Sequence, residues 1–167
     1  YNVRVDNQKA VFGEVSYDFN NFNLTLGGRR FWSDETIDID TRPTAVFYAT
    51  TTGPIYTNFE SEENGKFLKK INLSYRFTED VLIYVSQSEG YRAGGPNRAA
   101  DPGVPSEYNA DFLTSTEMGW RSRFADGRVT FNGAIFNMEW AEFQAATLDL
   151  EISSFGFTGN VGNASVK

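Results

Sequence analysis

Cysteine and histidine are both absent from this chain. Without cysteine there is no disulfide framework and no thiolate metal site. Without histidine there is no imidazole ligand, no histidine-based triad and no general base of the usual kind near neutral pH. Basic residues are scarce as well: 15 Lys and Arg stand against 22 Asp and Glu, a net charge of −7. No basic stripe is available to neutralise nucleic-acid phosphates. Long hydrophobic runs are missing too. The longest is Val81-Leu82-Ile83-Tyr84-Val85, far below the ~20 residues of a membrane helix. These absences argue against an enzyme, against a nucleic-acid partner and against helical membrane spans, and no metal or cofactor is expected.

What remains is aromatic, glycine-rich and periodic. The chain holds 15 Phe, 8 Tyr and 3 Trp, a composition that leans all-β. Apolar and polar residues alternate over roughly 9–19, 22–34, 66–77, 81–92, 114–124, 128–142 and from 161 to the end. Most of these runs exceed the ~5–6 residues common in soluble sheets. Their connectors alternate in length. Asn20-Asn21, Thr78-Glu79-Asp80 and Ala125-Asp126-Gly127 suit tight hairpins, whereas 35–65, 93–113 and 143–160 are long. All five prolines (43, 54, 96, 102 and 105) fall in the first two long stretches and none in a predicted strand, as an intact ladder requires. Tyr1 opens abruptly in polar sequence and the last residues read as a strand, so we read the chain as a segment of a longer polypeptide.

One face of these strands collects Val11, Val15, Tyr17 and Phe19; Leu24, Leu26 and Trp32; Ile71, Leu73, Tyr75 and Phe77; Val81, Ile83 and Val85; Met118, Trp120 and Phe124; Val129, Phe131 and Ile135. The other carries Glu14, Asp18, Arg29, Asn72, Arg76, Ser86, Glu117, Arg121, Arg123 and Asn132. Gly13, Gly28, Gly133 and Ser122 break the apolar face, and Phe12, Leu82, Tyr84 and Phe136 break the polar one. A soluble sandwich with one buried face explains the alternation as well as a membrane barrel does. Strand length, connector asymmetry and a polar face shared by six strands favour the barrel, with short turns at one end and long loops at the other. On that reading the aromatics beside the short turns form an interfacial girdle.

The segments "AVFGEVSYDF…FNLTLGGRRF", "INLSYRFTEDVLIYVSQSEGYRAGGPN", "TSTEMGWRSRFADGRVTFNGAIFNMEW" and "NVGNASVK" resemble successive barrel strands of TonB-dependent outer-membrane receptors. The resemblance rests most on Tyr84-x-Ser86-x-Ser88-x-Gly90-x-Arg92-x-Gly94-Gly95, on Glu117-x-Gly119-x-Arg121 before a tight turn, and on Asn132-x-Ala134-x-Phe136. Gln87 departs from the family, which usually carries an aromatic there. The resemblance implies an all-β, antiparallel transmembrane β-barrel segment, about seven strands of a 22-stranded plugged barrel, with short periplasmic turns and long extracellular loops. Residues 1–167 are then a partial barrel domain without the plug domain, the TonB-contacting region or the closing strand. The implied role is uptake of a scarce nutrient, most often a ferric siderophore, across the bacterial outer membrane. The implied partners are TonB, the protein's own plug, outer-membrane lipid and the small-molecule ligand. A passive porin-like or structural barrel is the alternative.

Candidate sites follow from position. Arg29, Arg76, Glu117, Arg121 and Arg123 are expected to face the lumen and the plug. In the glycine loop "GYRAGGPNR", Arg92, Asn97 and Arg98 are candidate contacts to an anionic ligand; the loop lacks the Lys-Ser/Thr ending of a phosphate loop. Stretch 35–65 with Asp34 carries Asp34, Glu35, Asp38, Asp40, Glu60, Glu62 and Glu63 against Arg42 alone, and reads as a solvated acidic loop. On the apolar face, Arg30 and Lys69 each lie eight residues from their short-turn end, at Phe22 and Phe77. At ~3.3 Å per residue and a tilt of ~40°, that is ~20 Å above the turns. Both are expected to mark the outer membrane interface and meet lipopolysaccharide phosphates, with Glu89 as an alternative partner.

Overall fold

Residues that tolerate left-handed backbone set the tight turns. Asn20 (φ 51°), Asp126 (φ 56°) and Gly127 (φ 83°) sit there, joined by Ala125 (φ 52°). The computed structural model describes residues 2–41, 55–97, 103–151 and 156–167, with backbone alone for 2, 39–41, 55–57, 61, 63 and 64. Its strands, in chain order, are β1 (Asn2–Phe19), β2 (Phe22–Thr41), β3 (Ile55–Thr78), β4 (Val81–Arg92), β5 (Gly95–Pro96), β6 (Glu107–Tyr108), β7 (Asp111–Phe124), β8 (Val129–Ala141), β9 (Gln144–Thr147), β10 (Phe157–Asn160) and β11 (Ala164–Val166). Seven of them form one sheet in the order β1-β2-β3-β4-β7-β8-β11, antiparallel throughout. The pairs β5–β6 and β9–β10 make two small hairpins within long connectors.

The register decides which residues share a face. Tyr17, Leu24, Leu73, Val85, Met118 and Ile135 stand directly opposite one another across six strands. The neighbouring row, on the other face, is Ser16, Thr25, Asn72, Ser86, Glu117 and Phe136. A one-residue slip in any pair would mix the two rows. The apolar row has no second layer against it: Tyr17 is 65% exposed, Leu73 45%, Met118 50% and Ile135 67%. Among the described residues the buried hydrophobics are Phe31 and Ile37, whereas seven buried residues are polar or charged. This burial is inside-out relative to a soluble sandwich, which would cover Leu73 and Ile135 first. The sandwich reading is therefore rejected.

Three sequence expectations need correction. Stretch 35–65 is not a loop at its flanks: β2 and β3 continue pairing to Thr41↔Ile55, with a bulge between Phe31 and Ser33. Thr41 lies 19 residues past Phe22, roughly 48 Å above the turns and ~20 Å beyond an apolar band of about 25 Å. The strands go on there although the acids of 34–35 and 60–63 interrupt the apolar alternation, and Ile37, opposite Phe59, is buried. Glu35 is not solvated there; its side chain is 3% exposed, with Arg4 Nε 2.9 Å from its Oε1. The connector 93–113 contains β5 and β6, and 143–160 contains β9 and β10. Finally, the strand predicted from residue 161 begins only at Ala164, and Phe157–Asn160 pairs with Gln144–Thr147 instead.

Two of the three glycines named on the apolar face have a packing reason; Gly13 has open space beside it. A Cβ at Gly133 would lie 2.3 Å from the Trp120 ring, and one at Gly28 would lie 2.4 Å from the Phe67 ring. Each ring lies flat across a neighbouring strand where only glycine leaves room. Ser122, the other exception on this face, is buried and donates its hydroxyl to the Phe131 carbonyl.

The register makes the face assignment testable. Leu73 stands four residues from Phe77, about 10 Å above the turns and close to mid-bilayer. Leu73→Arg is expected to destabilise the barrel by ~2–4 kcal/mol in phosphocholine bilayers, while Asn72→Arg on the opposite face stays within about 1 kcal/mol. Reversible urea unfolding of both variants measures the difference.

Candidate functional site

The polar face is cross-linked in tiers. In the lowest, Arg76, Arg121 and Arg123 border one groove with Glu79, Asp80 and Asn132. Arg76 and Arg121 share a row through Leu82. Arg123 forms an ion pair with Asp80 at 3.0 Å, and the Asn21 carbonyl accepts from the Arg76 backbone N–H. Three guanidinium groups thus gather where the short turns lie.

One tier up sits a joint that explains the Glu117-x-Gly119-x-Arg121 spacing. Tyr84 stands directly opposite Gly119, and a Cβ on that glycine would lie 2.6 Å from the Tyr84 hydroxyl and ring. The ring therefore lies across the β7 backbone. Its hydroxyl donates to Glu117 Oε1 at 2.5 Å, and the Arg121 guanidinium stands 5.8 Å from the ring centroid. A ring, its hydroxyl and two flanking charges need a bare position between them, which glycine supplies. Above this joint, Lys70 reaches Glu14 at 3.0 Å over Gly27, where a Cβ would stand 3.5 Å from Glu14 Oε2. Arg29 lies apart on β2, donating to Gln8 Oε1 at 2.9 Å and stacking 5.7 Å from Phe31.

The long-loop end is locked by a second set of contacts. Arg92 stands opposite Asp111, eleven residues past Val81 and so about 28 Å above the turns, beyond the ~25 Å apolar band. Its Nε and Nη2 donate to the Asp111 carboxylate, and Nη2 also donates to the Gln144 carbonyl at 3.1 Å. Burial pushes the Asp111 carboxyl upward. Hydrogen bonds from Arg92 and from the Gln144 N–H, with the charge of Arg92, outweigh it and hold the group below the ordinary carboxylate value. The stabilisation from this pair is thus complete above the ordinary carboxylate range and is lost as pH falls through the lowered value.

The two rim hairpins are tied to each other by side-chain amides. Asn97 donates to the carbonyls of Pro105 (3.0 Å) and Thr158 (2.7 Å), and its Oδ1 accepts from the Thr158 N–H. Gln144 donates to the carbonyls of Ala93 and Asn109. Asn160 donates to Asn109 and Glu142. Both amide hydrogens of Asn97 are thus occupied, and the residue is 8% exposed. Asn97, a candidate ligand contact on the sequence reading, serves in the structure as a staple between loops. Arg92 is half-exposed and pinned at the mouth. Arg98 lies outside the described residues. Asp111, Gln144 and Asn160 were missed by sequence reasoning because their partners lie far off in the chain.

On the apolar face, Lys69 Nζ is 3.0 Å from Glu89 Oε1, and its backbone N–H reaches Glu89 Oε2 at 3.3 Å. The acid named from the sequence as an alternative partner of Lys69 is its partner within this chain. Arg30 lies 5.3 Å from the Trp32 ring centroid.

A protein-family model described as "TonB dependent receptor-like, beta-barrel" matches residues 1–167. Three solved structures share the fold. The ferric yersiniabactin uptake receptor FyuA from Yersinia pestis aligns with TM-score 0.75 at 17% identity, over 98% of this chain and 23% of that one. The ferric-catecholate import receptor Fiu from E. coli K12 aligns with TM-score 0.64 at 17% identity, over 86% and 22%. The alcaligin outer-membrane receptor FauA from Bordetella pertussis aligns with TM-score 0.58 at 17% identity, over 88% and 23%. The chain spans less than a quarter of the length of these structures.

The tyrosine joint yields a direct check. Gly119→Val is expected to displace the Tyr84 ring, break its bond to Glu117 and cost ~1–3 kcal/mol. Tyr84→Ala in the same background should recover part of that loss. A double-mutant unfolding cycle reads the coupling between the two positions.

Proposed function

The chain belongs to the TonB dependent receptor-like β-barrel family, an outer-membrane transporter and receptor family, and from that premise we propose that it forms a stretch of barrel wall around a plugged lumen in a receptor that imports a ferric siderophore. The single observation that carries this reading is the two-faced sheet. An uncovered apolar face suits lipid, and its ionic reverse suits an enclosed, hydrated lumen. FyuA is a ferric yersiniabactin uptake receptor, Fiu a ferric-catecholate import receptor and FauA an alcaligin receptor; these support iron chelates as the first class to test.

Within this proposal the tiers have separate tasks. Arg76, Arg121 and Arg123, with Glu117 and Arg29, present hydrogen-bond donors and charge to a plug domain and hold it until force from TonB rearranges the contacts. Exposed ion pairs are each worth only ~0–1 kcal/mol, so a set of them holds a plug firmly while each bond stays easy to exchange. At the mouth, Arg92 supplies positive charge to an anionic chelate, and Asn97 fixes the connector that follows it. Iron is cargo here, not a resident cofactor.

Uptake of radiolabelled iron chelates by cells lacking and regaining the gene tests the proposal. The expected result is uptake of one chelate class that needs both this gene and TonB. Entry that persists without TonB and extends to unrelated small solutes would assign a passive pore instead. A second measurement addresses the plug: Arg121→Glu with Arg123→Glu should raise sensitivity to bulky antibiotics while barrel assembly and ligand binding are kept. Unchanged sensitivity would remove these arginines from plug retention.

A further inference from the structure

Each strand of the apolar face changes from apolar to polar residues at a similar distance from its short turn. Apart from the buried Ser122 of β7, the first polar residue is Lys9 on β1, Arg30 on β2, Lys69 on β3, Gln87 on β4, Thr116 on β7 and Asn137 on β8. These stand six to ten residues from the turn end of their strand, roughly 15–25 Å above it. The line is the upper edge of the apolar band. Charge is sorted along it. Cations occupy β1, β2 and β3, whereas β4 and β8 carry the acids Glu89 and Glu139 near the same height.

The three cations form one cluster. Arg30 faces Val11, one step from Lys9, and faces Phe67, one step from Lys69. Such diagonal neighbours have Cα atoms ~7–8 Å apart, within reach of a common anion for side chains of this length. Lys9, Arg30 and Lys69 are all exposed. Their setting is aromatic: Trp32 stands opposite Lys9 and beneath the Arg30 guanidinium, and Phe67, 58% exposed, lies across Gly28. Rings of this kind belong at the boundary between acyl chains and headgroups. Glu89, across on the neighbouring β4, pairs with Lys69 and offsets part of its charge. Asp34 and Glu62 face each other above the cluster on the same side and mark where the favourable region for an anion ends.

We infer that Lys9, Arg30 and Lys69, with Trp32 and Phe67, form a lipid-facing site for the phosphorylated sugar headgroup of lipopolysaccharide. A lipid with phosphates on a rigid sugar backbone places several anionic groups at this boundary, where three cations are held on a rigid sheet. The rings cover the first segments of its acyl chains. Lysine and arginine stems lie along the apolar surface while their charged ends reach the headgroup plane. The site goes beyond the import role and would stand whichever nutrient the barrel carries.

Native mass spectrometry of the complete outer-membrane protein containing this chain, released from nanodiscs, tests the site. The nanodiscs contain phosphatidylcholine doped with either lipopolysaccharide or phosphatidylglycerol. The intact barrel is expected to retain lipopolysaccharide in preference to phosphatidylglycerol. Removing a cation near an anionic surface should weaken retention about fivefold, and Lys9→Gln/Arg30→Gln/Lys69→Gln together on the order of 100-fold. Lys70→Gln, one residue from Lys69 on the opposite face, should leave retention unchanged. Heat-dependent mobility on gels verifies that each variant is a folded barrel, and the single variants carry the test if the triple variant fails to assemble. Equal retention by folded single or triple variants, or equal retention of phosphatidylglycerol, would overturn the assignment.

Discussion

Backbone hydrogen bonding in hydrocarbon constrains everything else in this structure. No water reaches the bilayer core, so each N–H and C=O there must find a partner within the protein, and a sheet can satisfy that only strand to strand. Length follows first: β4, β7 and β8 run 12, 14 and 13 residues, enough to cross at a tilt. Face segregation follows next. The row Tyr17, Leu24, Leu73, Val85, Met118 and Ile135 lies open on one side while carboxylates and guanidinium groups cross-link the other. In a soluble sheet the same exposure would be an aggregation hazard; toward lipid it is the stabilising surface.

The polar face shows how a wall stays ordered without a packed core. Tyr84 across Gly119, bound to Glu117 and flanked by Arg121, fastens β4 to β7 by shape and charge together. Trp120 over Gly133 and Phe67 over Gly28 use the same geometry on the lipid side. Glycine in a strand interior costs conformational entropy and packs nothing itself. Here each of these glycines is offset by a ring that covers backbone and bridges two strands. The rim is held by directional bonds. Side-chain amides of Asn97, Gln144 and Asn160 bond to backbone groups of neighbouring loops, which gives irregular backbone the partners that a ladder gives elsewhere.

Mechanically the tiers differ. Contacts at the short-turn end are exposed and exchangeable, as in the Arg123–Asp80 pair, whose two side chains are each more than half exposed. The rim latch is different: Asp111 is buried between Arg92 and Gln144, so breaking it leaves a buried charge unpaired. The wall is thus held loosely at the short-turn end and firmly where the loops converge.

Several features were legible in the residues alone. Period-two alternation, tight-turn chemistry and the placement of proline defined the strands inside the bilayer, because there the solvent imposes a strict apolar–polar code on consecutive residues. Gly119 and Tyr84 were visible only as a motif member and a misplaced aromatic, and the fit of one upon the other needed the register. The continuation of β2 and β3 past Ser33 and Lys66 was missed, since the acids clustered there read as a solvated loop although Ile37 and Ile39 still alternate with Asp38 and Asp40. Asn97 illustrates the same limit from the other side: its partners Pro105 and Thr158 lie 8 and 61 residues away, and side-chain amides suit ligands and loop backbones equally. Local sequence thus determined which side of each strand meets lipid, because that depends on neighbours two positions away. Tertiary structure alone decided which polar groups are engaged with each other, because those pairings depend on contacts between strands and loops distant in the chain.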